Sequence, residues 1–307
     1  MEIEKIPILL INRKLKKPIH LTKDKIKIIE KQISSDNLED IVLQGLFVLL
    51  VSFFEIMLSD ILKYYLINIP QKLDKNELKF SKDDILSHFT NTKLMALQID
   101  KKINSMFYDR LEEVIEYFLK SLSINEQPIN LKNIDNLIEI KETRNLLLHN
   151  DLVVNSSYIG KAGKLKRSNR IGDKLKITKD YLNESLKNVS EIITEIEERI
   201  DSKYSKYTKT RALRELWKFM FTSPIMPFDD FWTVSVENEK SEGIVIAKKS
   251  SLEGQISNSE RMFLGMWRTH FNRNTEYLSN FSMYSLDIEN QEKMLYFLSI
   301  VDDLRLE

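Results

Sequence analysis

Between Ile41 and Leu58 the chain reads IVLQGLFVLLVSFFEIML, a stretch in which Gln44 and Glu55 are the only strongly polar interruptions. Its uninterrupted apolar run is about ten residues, short of the roughly 20 that a membrane span needs. A membrane helix is the competing reading; the run is better read as a helix buried in a protein core. A helix that is apolar on most of its faces has to be surrounded by other helices, so this segment belongs at the centre of a bundle. Asp36 or Asn37 is placed to cap it, and Pro70 follows its expected end near Ile69.

The rest of the chain suits that core. Gly and Pro number only 7 and 6 in 307 residues, and long side chains dominate, which favours helices over strands. Helical spacing of apolar residues predicts a helix from Lys93 to Leu122, a third from about Asn133 to Asn150, and a fourth over Lys179–Tyr204 capped by Thr178. Residues 1–36 read as a lead-in with a short strand at Ile6–Ile11 and a charged helix near Lys23–Gln32. Residues 37–205 form the helical domain. Residues 206–307 form a smaller C-terminal α+β domain, with strands at Phe231–Val236 and Gly243–Lys248 and helices near Thr210–Phe221, Asn258–Phe271 and Ile288–Leu304. The fold class expected is therefore mainly α.

Composition removes several chemistries. There is no Cys, which excludes disulfides, thiolate nucleophiles and Cys-built zinc sites. Four scattered histidines, His20, His88, His149 and His270, argue against a His-built metal cage, so no cofactor or metal is expected. Lys+Arg and Asp+Glu both number 46, so any nucleic-acid binding has to come from a local patch. One such patch lies in the loop 153–179, where Lys161, Lys164, Lys166, Arg167 and Arg170 are candidate RNA contacts; a solvated flexible loop is the plainer reading. The N-terminus, MEIEKIPILLINRKLKK, has a short apolar core, acidic residues ahead of it and no small-residue cleavage site, which argues against a signal peptide and for a cytoplasmic protein.

The third helix ends Glu142-Thr-Arg144-Asn145-Leu-Leu-Leu-His149. Asn145 and His149, four apart, share a helix face, whereas Arg144 and His149 diverge by about 140° on a straight helix. The three residue types suit RNA. An imidazole moves protons near neutral pH. A guanidinium grips a phosphate through two parallel hydrogen bonds and stabilises charge developing on it. Asn orients either group. With the ribose 2′-OH as internal nucleophile, proximity takes the place of an activated water, and the product is a 2′,3′-cyclic phosphate. An Arg-Asn-x3-His string is expected by chance on the order of 0.01 times in a chain of this composition. The plain alternative is a solvated helix end, where His and Asn are common.

These residues, at the end of the third of four helices, resemble the HEPN superfamily, whose members are four-helix bundles carrying an Arg-x4-6-His motif, often with Asn directly after Arg. The resemblance covers roughly residues 37–205. It implies a metal-independent endoribonuclease of the kind found in toxin–antitoxin pairs, abortive infection and other anti-phage defences. It also implies a homodimer with a composite site, RNA as substrate, and an antitoxin or phage-derived trigger as a further partner; no membrane partner is expected, on the reading of residues 41–58 as a core helix. The family tends to place an acidic residue on an early helix, for which Glu55 is the first candidate and Asp60 the second. A non-catalytic HEPN-like nucleotide-binding or protein-interaction module is the alternative. Trp217, Trp232 and Trp267 are read as core or interface anchors, and His88 and His270 as structural.

Overall fold

The computed structural model describes residues 8–35, 38–73, 79–87, 91–107, 110–125, 131–224, 226–235, 244–247, 251–272 and 286–304. They are mainly helical and divide into two compact units, Asn12–Lys206 and a second made of Met1–Ile11 with Tyr207–Glu307.

In the first unit the apolar run forms α2 (Asp40–Asn68), which follows α1 (Asn12–Ile33). α2 packs against α1, α4 (Asn91–Met106), α5 (Leu111–Ser121), α6 (Leu131–Asn150) and α8 (Lys179–Tyr204). A short α3 (Lys82–Ser87) precedes α4, and α7 (Ser156–Lys161) precedes α8. Leu43, Phe47, Leu50, Val51, Phe54, Met57, Leu58, Ile61, Leu62, Tyr65 and Leu66 of α2 are all buried. The helix is long and apolar enough to cross a membrane, and here its buried side chains face other helices. Its expected caps, Asp36 and Asn37, lie outside the described residues; Glu39 stands at the N-cap position without a capping side-chain bond.

Three elements differ from the sequence expectation. α1 begins at Asn12, well ahead of Lys23, and runs through Pro18. Its stripe Leu15, Ile19, Thr22, Ile26, Ile29 and Ile33 is buried, and its polar side is zipped to α8 by Lys16–Asp201 (2.6 Å), Asn12–Asp201 (3.1 Å), and the pairing of both His20 and Lys23 with Glu197. No strand forms over residues 8–11, while Ile6 and Pro7 are outside the described residues. The helix expected over Lys93–Leu122 is divided into α4 and α5, with Arg110 extended (φ −64°, ψ 141°) at the start of the second. α8 matches its expected bounds, and the Thr178 hydroxyl accepts from the Tyr181 N–H at 3.2 Å.

In the second unit α9 (Lys209–Met220), α10 (Phe228–Phe231), α11 (Asn258–Asn272) and α12 (Ile288–Ile300) accompany one antiparallel hairpin. Strand β1 (Trp232–Ser235) pairs with β2 (Ile244–Ala247), Trp232 opposite Ala247. All three tryptophans are buried in one aromatic cluster, with Trp217 and Trp267 rings 5.1 Å apart. His270 lies beside Phe271 and Phe297 in the same core; His88 is outside the described residues. Leu9 and Ile11 belong to this core, so the start of the chain completes the unit that its end builds.

That arrangement makes a stability prediction. Ile11 is 2% exposed within the C-terminal core. Ile11→Ala should destabilise that unit by about 2–4 kcal/mol. Followed by tryptophan fluorescence, which reports Trp217, Trp232 and Trp267, the denaturation midpoint should fall. The midpoint of the first unit, followed by hydrogen exchange of α2 amides, should not.

Candidate active site

The motif helix α6 is fixed from behind by a buried carboxylate. Glu139, 4% exposed, accepts from the Thr143 hydroxyl at 2.5 Å, the Tyr158 phenol at 2.9 Å and the Tyr181 phenol at 2.7 Å. Three hydroxyl donors replace water around the carboxylate, which is what allows it to be buried with no ion pair among the described residues. Burial, and then the Glu139 charge, push the Tyr158 phenol up to about 12, and the same causes raise Tyr181 well above its ordinary value, so both remain donors. Tyr158 lies in the first turn of α7 and Tyr181 in the first turn of α8. The network therefore ties the segment between the motif helix and α8 to the helix itself.

The end of α6 is shaped by strain. Asp151 (φ 46°) and Leu152 (φ 60°) both adopt the left-handed conformation, a place usually taken by Gly or Asn after a helix. Leu152 is buried, and its N–H closes the helix on the Leu146 carbonyl at 3.1 Å. The Asn150 amide donates to the Val153 carbonyl. The turn sends the chain back toward the motif face, where Asn155 caps α7 by accepting from the Tyr158 N–H at 2.9 Å.

On this scaffold sits a cleft of about 720 Å³. From α2 it takes Glu55, Ile56 and Ser59; from the α4–α5 junction Asn104, Phe107 and Arg110; from α6 Lys141, Glu142, Arg144, Asn145, Leu146 and His149; and from the α7 segment Asn155, Ser157, Tyr158 and Lys161. Glu55, Arg144, Asn145 and His149 thus share one cavity. Arg144 donates through Nη2 to Glu55 Oε2, with both side chains largely buried, while its Nε is buried without a hydrogen-bond partner among the described residues. Asn145 Nδ2 donates to Glu142 Oε1 at 3.3 Å. His149 is exposed in the last turn of α6.

Sequence reasoning missed Lys141. It is 6% exposed, with Nζ 3.9 Å from Glu55 Oε1 and 3.4 Å from the Phe107 carbonyl. Glu55 is thus shared between two cations. Burial nevertheless wins for both charge types: it raises the Glu55 carboxyl above its ordinary 4.5, with Arg144 and then Lys141 offsetting the rise, and it lowers the Lys141 amine, with Glu55 offsetting the fall. The available signal was the spacing Lys141, Asn145, His149, three polar groups on successive turns of one helix face. Arg110, Asn104, Asn155, Ser157 and Tyr158 carried no such signal, whereas Lys161 was singled out by the run of basic residues.

The basic loop is divided by the structure. Lys161 is exposed and lines the cleft. Lys164 and Arg170 are exposed and are not part of its lining. Lys166 is half-buried, with Nζ 3.5 Å from the Ile159 carbonyl. Arg167 turns inward: its guanidinium stacks 4.0 Å over the Tyr181 ring and donates to the Lys176 carbonyl at 2.5 Å. The loop holds α7 and one isolated bridge, Val153 with Lys174. Asp60 is exposed and does not line the cleft. Among the described residues no three His, Asp or Glu side chains converge as metal ligands.

Comparison with protein-family models, with curated proteins and with solved structures returns no match for this chain.

The shared carboxylate makes a pH prediction. A folded-state carboxyl that holds its proton above 4.5 makes the folded chain bind more protons than the unfolded one in that window. This part of the stability is therefore greatest at acid pH and is lost as pH rises from 4.5 through the raised value. Glu55→Gln removes the titration. Tm measured against pH should show a shallower decline over that limb in the variant; parallel curves would mean that Glu55 does not titrate there.

Proposed function

We propose that this chain is a HEPN-type, metal-independent endoribonuclease that cleaves single-stranded RNA or tRNA through attack of the ribose 2′-OH. The observation that carries the proposal is the convergence of Glu55, Arg144, Asn145 and His149 on one cleft. The helices α2, α5, α6 and α8 stand for the four-helix core of that family, with α6 bearing the motif at its C-terminal end.

In the proposed reaction the 2′-oxygen forms a bond to phosphorus and the bond from phosphorus to the 5′-oxygen breaks. One base takes the 2′-OH proton and one acid supplies a proton to the leaving 5′-oxygen, leaving a 2′,3′-cyclic phosphate and a 5′-OH. His149 acts at one of these transfers. Arg144, oriented by Glu55 and with Nε still to be satisfied, grips the non-bridging oxygens and stabilises their charge. Asn145 orients the phosphate, and Lys161 meets the strand beside it.

The site is completed by a second copy of the chain. Ile41, Val42, Leu49 and Ile56 of α2 and Leu148 of α6 are exposed aliphatics. Ile56 lines the cleft and Leu148 precedes His149, so this apolar surface adjoins the chemistry and suits a homodimer whose two motifs face each other. The same surface also favours a second reading, an assembly module without catalysis. The physiological role that accompanies the first reading is that of a toxin or anti-phage effector in the cytoplasm, restrained by an antitoxin or released by a phage-derived trigger.

The test is cleavage of a labelled tRNA or mRNA pool in EDTA, repeated as growth inhibition in cells. Wild type should leave cyclic phosphate ends, and His149→Ala should lose about 10²–10⁴-fold in rate with unchanged folding. Arg144→Lys should lose heavily as well, because a point charge does not replace a bidentate fork. Equal cleavage by wild type and His149→Ala would sink the catalytic assignment. An activity in cells that survives His149→Ala and fails when Leu49→Asp breaks self-association would favour the assembly module.

A further inference from the structure

The end of α4 and the start of α5 contribute to the cleft lining three residues that the cleavage chemistry does not use: Asn104, Phe107 and Arg110. Phe107 is half-buried, an aromatic side chain in a cavity lined mostly by polar groups. Its ring is not on a free loop tip. The Phe107 N–H donates to the Ile103 carbonyl at 3.3 Å, continuing the turn of α4, and the Phe107 carbonyl accepts from Lys141 Nζ at 3.4 Å. Lys141 in turn faces Glu55, the carboxylate that orients Arg144. The aromatic residue is therefore tied through one buried amine to the phosphate-gripping pair.

An aromatic residue in the lining of a polar cleft suits a nucleobase, because every base has a π-face and stacking on an aromatic side chain contributes about 1–3 kcal/mol. Asn104 is exposed one helical turn before Phe107 and carries both a donor and an acceptor, the pattern that a base edge requires. Arg110 is exposed at the start of α5, where its guanidinium suits the phosphate next to the stacked base.

We infer that Phe107 and Asn104 form a nucleobase subsite, in which one unpaired base of the RNA stacks on Phe107 with its edge on Asn104 and the adjoining phosphate on Arg110. This rests on the ribonuclease reading and adds a source of selectivity to it. A base inside a duplex has both faces covered, so occupancy selects single-stranded RNA. The Asn104 amide distinguishes bases by the order of donors and acceptors along their edges. Phe107 and Asn104 are specificity residues and leave the bond-breaking groups untouched.

The test uses the full chain and fluorescent homo-oligomers of U, A and C carrying 2′-fluoro riboses, which keep an RNA-like sugar and lack the nucleophile, so that binding is read apart from cleavage. Phe107→Ala should weaken binding about five- to a hundredfold. Phe107→Trp, which keeps a ring and checks that the fold tolerates change here, should bind within about threefold of wild type. Asn104→Ala should narrow the spread of affinities among the three oligomers. Equal binding by wild type and Phe107→Ala, with the order of preference unchanged, would overturn the subsite and leave the ribonuclease reading standing. Failure of wild type to bind any of the oligomers would overturn both.

Discussion

The burial of α2 is the constraint on which the first unit depends. From Ile41 to Phe54 the helix carries no charge, and one buried face runs its length from Leu43 to Leu66. Removing that much apolar surface from water is a large favourable term, and it is non-directional. Direction comes from the few polar groups the helix carries. Glu55, the first charge after the uncharged run, lies where α2 faces α6, and it fixes the approach of the two helices by meeting Arg144 on one oxygen and facing Lys141 with the other. Hydrophobic burial supplies the stability, and one carboxylate selects which faces meet.

Two carboxylates at α6, the buried Glu139 of the helix itself and the half-buried Glu55 of α2, solve the same problem differently. Glu139 is surrounded by three hydroxyls and, among the described residues, pairs with no cation, and it is a structural joint between α6, α7 and α8. Glu55 is met by two cations, both held in a cleft that water reaches only in part, and desolvation outweighs their attraction. A joint built from neutral hydroxyls is insensitive to an incoming phosphate. A carboxylate balanced between two cations is not: a phosphate that enters the cleft competes with Glu55 for Arg144 and Lys141. Rigidity behind the motif and exchangeable charge in front of it follow from this difference in partners.

Much of this was legible in the sequence, for identifiable reasons. The uncharged run, the Thr178 cap, the stripe of α8 and the two strands of the hairpin are local patterns, and local patterns survive folding. The motif at the end of α6 was legible because its residue types are rare together. α1 was obscured by its many lysines and by Pro18, a residue that ordinarily ends a helix, although its apolar spacing was there to read. The division of α4 from α5 had no signal, since no Gly or Pro stands between Met106 and Leu111 and apolar periodicity runs through; packing of the two pieces against α2 and α6 sets it. The pairing of Glu55 with Arg144 joins residues 89 apart, and the diversion of Arg167 to Tyr181 joins it to another helix. Neither partner could be read from a run of basic residues.

The angular spread of about 140° between Arg144 and His149 looks unfavourable for a shared site on one helix. The cleft accommodates it because its walls come from both sides of α6: Glu55 of α2 meets Arg144, while the strained turn at Asp151 and Leu152 returns α7 beside the end of the helix. Arg144 is thereby held deep and His149 stands exposed in the final turn, so a strand lying across the helix end would meet the guanidinium with a phosphate and the imidazole with a neighbouring oxygen. Each chain supplies a single His149 to its cleft, whereas the proposed transesterification takes one proton and gives another. A second chain facing the first across the exposed aliphatics of α2 and α6 would supply the second imidazole. In that proposed pairing, the geometry that separates Arg144 from His149 within one chain would leave room for the substrate between two.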